Sequence, residues 1–158
     1  MRSNHAGDTG AVWIYKGILA LSIDGEIRSF AEHHLATEQE HLAFFEDWLS
    51  SGHKSLLLPL WRLSGFILGA VSALGGRRWV YASIEAVETF VVQHYESQYP
   101  ALDEYGDAVL FSAIRQFCSD EASHRDEAGS EAPQRSTLLS AWCSLVSFGS
   151  EQAVKIAR

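Results

Sequence analysis

Two stretches, "CSDEASHRDE" (residues 118–127) and "ATEQEHLAFF" (residues 36–45), decide how this chain folds. Each sets a Glu three positions ahead of a His: Glu121 with His124, and Glu38 with His41. On an α-helix, positions i and i+3 share a face, so a carboxylate and an imidazole at that spacing can converge on one point beside the axis. In 158 residues with 13 Glu and 7 His, chance supplies about 0.6 such pairs, so the spacing is a weak signal by itself. Taken singly, each pair also reads as a solvated Glu beside a hydrogen-bonded His.

The order along the chain strengthens the signal. A first helix is expected over residues 8–23, opening on Asp8 and carrying Val12, Ile14, Tyr15, Ile18, Leu19 and Leu21 as an apolar stripe. A second runs over 26–51, stopped by Gly52. A third, 79–98, holds Glu88 in an apolar face of Ile84, Val87, Val91 and Val92, and ends before Tyr99-Pro100 because a residue preceding Pro is pushed out of the α region. A fourth covers 107–129, "GSEAPQRS" (129–136) is a loop, and 137–157 is a closing helix. Acid, Glu-x-x-His, acid, Glu-x-x-His therefore follow one another, with 30 residues from Asp8 to Glu38 and 33 from Glu88 to Glu121. This near-repeat of two hairpins matches carboxylate-bridged dimetal sites in four-helix bundles, where two helices give one acid each and two give Glu-x-x-His.

The expected fold is all-α: a ferritin-like four-helix bundle, with an extra hydrophobic helix between helices 2 and 3 and a closing C-terminal helix. Asp8, Glu38, Glu88 and Glu121 supply four negative charges, which two divalent ions balance, while His41 and His124 complete the set. Oxygen-rich ligation suits iron, and less well manganese, over zinc. Ligand positions left open are where O2 binds as co-substrate. For Asp8 a second role is open, as an acid favoured at a helix N-terminus.

Composition bounds the rest. A chain of this length, 47% hydrophobic, has material for one core, so residues 1–158 are expected to form a single domain. A net charge of −8 leaves no basic stripe for a phosphate backbone, which excludes a general nucleic-acid binder. Cys118 and Cys143 are the only cysteines and read as buried thiols. With no signal-peptide pattern at "MRSNHAGDTG", a reducing cytoplasm is the expected compartment. The segment "SLLLPLWRLSGFILGAVSALGG" (55–76) is too broken for a membrane span, which needs roughly 20 apolar residues; Pro59 and Arg62 interrupt it. A buried core helix and a helix that dips into a membrane surface, or lines a lipid-like tunnel, both remain open.

Five segments resemble the demethoxyubiquinone hydroxylase family, diiron monooxygenases of ubiquinone biosynthesis: "NHAGDTGAVWIYKG" (4–17), "EQEHLAFF" (38–45), "LLLPLWRLSGFILGAVSALGG" (56–76), "AVETFVVQHY" (86–95) and "DEASHRDEA" (120–128). The His-Ala-Gly-acid start, the Pro-Leu-Trp segment and the His-Tyr after the third acid are more specific than the ligands, which ferritins and rubrerythrins share. The resemblance implies two iron ions on Asp8, Glu38, His41, Glu88, Glu121 and His124, with Glu38 and Glu121 bridging. It implies that His94 and Tyr95 serve electron or proton supply. It further implies hydroxylation of a hydrophobic quinone-type ring at a membrane surface, peripheral on the inner face, with an accessory lipid- or quinone-binding protein. The external reductant is unassigned and self-association into a homo-oligomer is left open. Departures are Asp8 where the family has Glu, Glu151 and Lys155 where it has an Arg and a Tyr, and no basic segment before Asp8. These keep two alternatives in view: a diiron oxygenase acting on another aromatic ring, and a non-catalytic quinone- or lipid-binding scaffold.

Overall fold

A computed structural model describes residues 1–132 and 134–157; Pro133, within the loop expected at 129–136, and Arg158 lie outside the described residues. In chain order the elements are α1 (Arg2–Leu21), α2 (Gly25–Trp48), a 3₁₀ turn (Ser51–His53), α3 (Leu58–Leu74), α4 (Arg77–Glu96), α5 (Tyr99–Tyr105), α6 (Ala108–Glu131) and α7 (Thr137–Ala157). There is no strand among the described residues, so the chain is all-α as expected, including the extra helix α3 and the closing helix α7.

Capping explains several boundaries. Asp24 accepts hydrogen bonds from the Glu26 and Ile27 backbone N–H groups, and Asp107 accepts one from Leu110 at 2.9 Å, so each satisfies donors that a helix start leaves open. Arg77, at the start of α4, is ion-paired with both Asp24 and Glu26. Gly76, at φ +82°, makes the turn from α3 into α4, a left-handed conformation that a residue with a Cβ enters only at a cost.

Most helix ends fall within two or three residues of the expectation, α2 ending at Trp48 rather than 51 and α6 running through Glu131 into the expected loop. Two differences are larger. Helix α1 begins at Arg2, six residues ahead of Asp8, although "MRSNHAG" has no apolar periodicity. Tertiary packing holds it: Ser3, Asn4 and His5 are buried, Ala6 clusters with Trp61 and Ala157, and Arg2 Nε donates to the His53 carbonyl at 3.0 Å. Asp8 is therefore inside the helix and caps nothing; the N-cap is Met1. The second difference is α5, a short helix that Pro100 starts, being tolerated where its missing N–H would have no partner anyway.

The chain forms two compact units, Met1–Val80 with the segment from Phe148, and Tyr81–Ser147. In the first, α1 lies backbone to backbone against α3. A Cβ on Gly69 would overlap the Ile14 carbonyl, one on Gly17 the Phe66 carbonyl, and one on Gly65 the Gly10 carbonyl. Gly65 and Gly69, with Trp61 and Ser72, are the buried face of α3. Its opposite face exposes Leu60, Leu63, Ile67, Val71 and Leu74, so α3 is not the wholly buried core helix that was one of the two open readings. No helix among the described residues is long and apolar enough to cross a membrane. In the second unit, Trp142 Nε1 donates to Ser83 Oγ at 2.7 Å and Arg135 pairs with Glu85, fastening the start of α7 to α4. Cys118 and Cys143 are buried free thiols, as expected.

Candidate metal centre

The first hairpin joins α1 to α2 through a loop of only three residues, Ser22 to Asp24, which makes the helices antiparallel neighbours. Two contacts fix their register. Tyr15 Oη lies 3.4 Å from His34 Nδ1, and at the other end His5 Nε2 lies 4.0 Å from Glu46 Oε1. Asp8 falls between Tyr15 and His5 on α1; Glu38 and His41 fall between His34 and Glu46 on α2. Asp8 is two turns before Tyr15, and His41 two turns after His34, so the two sit at the same level of the hairpin. All three expected ligands are buried, Asp8 at 4% exposure, Glu38 at 1% and His41 at 2%.

The second hairpin repeats this plan. The Cys118 thiol donates to the Val92 carbonyl at 3.8 Å, and Gly129 faces the Glu85 side chain, so α4 and α6 are antiparallel too. Between those contacts stand Glu88 on α4 and Glu121 and His124 on α6, all buried. Each offers a ligand atom, and these atoms lie within 4.8 Å of one another. His124 Nδ1 is 3.1 Å from Glu121 Oε2, the convergence that the i, i+3 spacing implies.

The donor set fits a cationic group. Asp8, Glu38, Glu88 and Glu121 are four buried carboxylates, while no Lys or Arg among the described residues is buried. Buried carboxylates must be protonated, paired or bound to a cation. Carboxylate-rich ligation with one imidazole for each pair of acids suits iron or manganese.

Tyr95 is buried and stands seven residues after Glu88, on the same face of α4. His94 is half-buried, with its ring stacked on Phe90 at a centroid distance of 6.0 Å. Glu151 and Lys155 form an exposed ion pair of 2.7 Å on α7. Two polar residues of the first hairpin escaped the sequence reading: His34, one turn before Glu38, and Tyr15, two turns after Asp8. Their signal was there, since both share the helix face of an expected ligand, but apolar scoring absorbs Tyr15 and hides it.

Comparison with known proteins agrees with this geometry. The family model described as Ubiquinone biosynthesis protein COQ7 matches residues 1–157. A Dictyostelium discoideum protein named NADPH-dependent 3-demethoxyubiquinone 3-hydroxylase, mitochondrial, is 32% identical across 98% of this chain and 73% of its own length. A 3-demethoxyubiquinol 3-hydroxylase of Rhodospirillum rubrum is 31% identical across 99% of this chain and 75% of its own. The NADPH-dependent 3-demethoxyubiquinone 3-hydroxylase of Rattus norvegicus is 31% identical across 96% and 76%. With its whole described length matched and both Glu-x-x-His hairpins in place, the chain belongs to the COQ7 family of ubiquinone biosynthesis proteins.

Proposed function

We propose that this chain is an O2-dependent hydroxylase that acts on the ring of a demethoxyubiquinone-type precursor, with residues 1–158 working as one catalytic domain. The observation that carries this reading is the buried Glu88, Glu121 and His124 cluster, in a chain that matches named hydroxylases along nearly all its length. Iron would be held by Asp8, Glu38 and His41 in one hairpin and by Glu88, Glu121 and His124 in the other. When bound, the metal supplies the redox chemistry by which one oxygen atom of O2 passes to the ring.

The protein's part is geometry and dryness. Burial of all six ligands excludes bulk water, which strengthens charge interactions within the site. The carboxylates offset the metal charge, and the imidazoles fill positions without adding any. Tyr95, on the Glu88 face, and half-buried His94 are proposed to bring protons and electrons from the outer side of α4. The exposed leucines of α3, flanked by exposed Arg62 and Arg78, support a peripheral membrane contact through which a substrate with an apolar tail is taken up.

Anaerobic loading with ferrous iron tests the reading. Two irons per chain are expected, followed on O2 exposure by incorporation of labelled oxygen into a short-tailed demethoxyquinol. Less than one iron per chain would favour a non-catalytic scaffold. The exposed Glu151–Lys155 pair, in place of the Arg and Tyr that the family resemblance calls for, favours a second reading: another aromatic substrate or reductant. Turnover of alternative phenols without turnover of the demethoxyquinol would support that reading instead.

A further inference from the structure

Tyr15 and His34 are both fully buried in the first hairpin, and the phenol oxygen lies 3.4 Å from His34 Nδ1. Phe30 closes the cluster, its ring centroid 4.1 Å from that of His34 and 6.5 Å from that of Tyr15. Burying a phenol and an imidazole costs desolvation that a Phe and a Leu would not incur. The position makes sense of that cost: Tyr15 stands two turns from Asp8 along α1, and His34 one turn from Glu38 along α2.

A phenol becomes an accessible one-electron donor when its proton has somewhere to go, because loss of the electron makes the hydroxyl strongly acidic. An imidazole nitrogen within reach is such an acceptor, and separations in a resting site run somewhat long. From this placement, which rests on the dimetal reading above, we propose that Tyr15 and His34 are a proton-coupled electron donor to metal held by Asp8, Glu38 and His41. When the centre has been oxidised by O2 with no substrate ring present, one electron leaves Tyr15 and lowers the metal by one oxidation level. The phenolic proton moves to His34 Nδ1 in the same event, leaving a neutral tyrosyl radical beside an imidazolium. A one-electron reductant of the ascorbate class then refills Tyr15, and the proton returns from His34. The pair thus drains unproductive oxidising equivalents from the buried ligands along a defined path.

The first experiment needs no metal. The metal-free full chain is flashed with ruthenium tris-bipyridine and persulfate, frozen, and examined by electron paramagnetic resonance. A tyrosyl radical is expected that carries an exchangeable proton shared with nitrogen of a nitrogen-15 histidine label. This readout uses the unaltered sequence and is therefore independent of whether a variant folds. Tyr15→Phe should remove the signal, and His34→Phe should lower its yield by about tenfold or more. No radical, no histidine nitrogen coupling, or an unchanged spectrum in Tyr15→Phe would overturn the pair. The second experiment exposes the iron-loaded chain to O2 without substrate, where the same radical is expected. Its absence with two irons bound would overturn the protective role alone. Failure to bind iron while the flash radical persists would overturn the dimetal reading, and the coupling to metal with it.

Discussion

His124 Nδ1 lies 3.1 Å from Glu121 Oε2, one turn along α6, and both offer ligand atoms within 4.8 Å of one on Glu88 of α4. Two buried carboxylates and an imidazole so placed concentrate negative charge and lone pairs where a cation would be stabilised. The arrangement could hold a metal ion, and it comes from two helices whose register Cys118–Val92 and Gly129–Glu85 pin on either side.

Replacing Glu88 or Glu121 with Gln keeps the shape and removes the charge. Losing a partner outside the ligand shell typically weakens metal affinity about 10–100-fold, so losing a ligand should cost at least that. Metal stoichiometry after anaerobic loading is the measurement. Full occupancy in Glu88→Gln would remove that residue from the ligand set.

Asp8 stands inside α1, buried, with Met1 as the N-cap, so it has no capping role to lose. Asp8→Glu should therefore hold or raise metal content, the longer side chain reaching further, and Asp8→Ala should lower it. Equal metal content in all three proteins would exclude Asp8 as a ligand.

Gly69 and Gly7 offer a matched pair. A Cβ on Gly69 meets the Ile14 carbonyl, whereas one on Gly7 meets nothing within 4 Å. Gly69→Ala must push α3 off α1, an overpacking cost of about 1–3 kcal/mol. Gly7→Ala should instead stabilise by about 0.5–1 kcal/mol through helix propensity. Denaturant midpoints distinguish the two, and a neutral Gly69→Ala would contradict the close approach of these helices.

His5 gives a pH signature. Burial holds its pKa below the ordinary 6.5, Lys54 and Arg62 push the same way, and Glu46 opposes them. The unfolded chain therefore binds a proton that the folded one resists. Stability should fall as pH drops below about 6.5, by up to about 1.4 kcal/mol per pH unit until the folded pKa is reached, and be unaffected by this group above that range. Unfolding measured in parallel on His5→Phe should show a shallower acid slope. An identical slope would mean that His5 is protonated within the fold.

The exposed face of α3 is tested on vesicles. Leu63 and Ile67 are more than half exposed, while Phe66 packs edge-on against Trp13 at 6.3 Å and belongs to the fold. If the face inserts, Leu63→Asp or Ile67→Asp loses apolar burial worth about 1.5–3 kcal/mol, so partitioning should drop roughly tenfold or more with iron content intact. Unaltered binding in both variants would remove α3 as the contact.

Much of this was legible before any coordinates. Two i, i+3 pairs and two acids at matching separations imply two hairpins, because helical periodicity is local and a helix face can be counted from residue numbers. The apolar face around Glu88 on α4 likewise announces itself, whereas the capping by Asp24 and Asp107 was not read from the sequence. The start of α1 was not legible: the first helix was expected from residue 8, since Ser3, Asn4 and His5 carry no apolar periodicity, and contacts with residues some fifty positions away, such as Arg2 with His53, hold them in a helix.

The sequence by itself determined which side chains can share a helix face, since 3.6 residues per turn is a property of the backbone. It also determined the all-α class and the carboxylate-rich chemistry of the candidate ligands. Tertiary structure alone decided that Asp8 is buried within α1, that Gly69 meets Ile14 without a side chain between them, that one face of α3 remains bare, and that Tyr15 reaches His34. Those outcomes depend on the register between helices, which long-range packing sets and no local periodicity encodes.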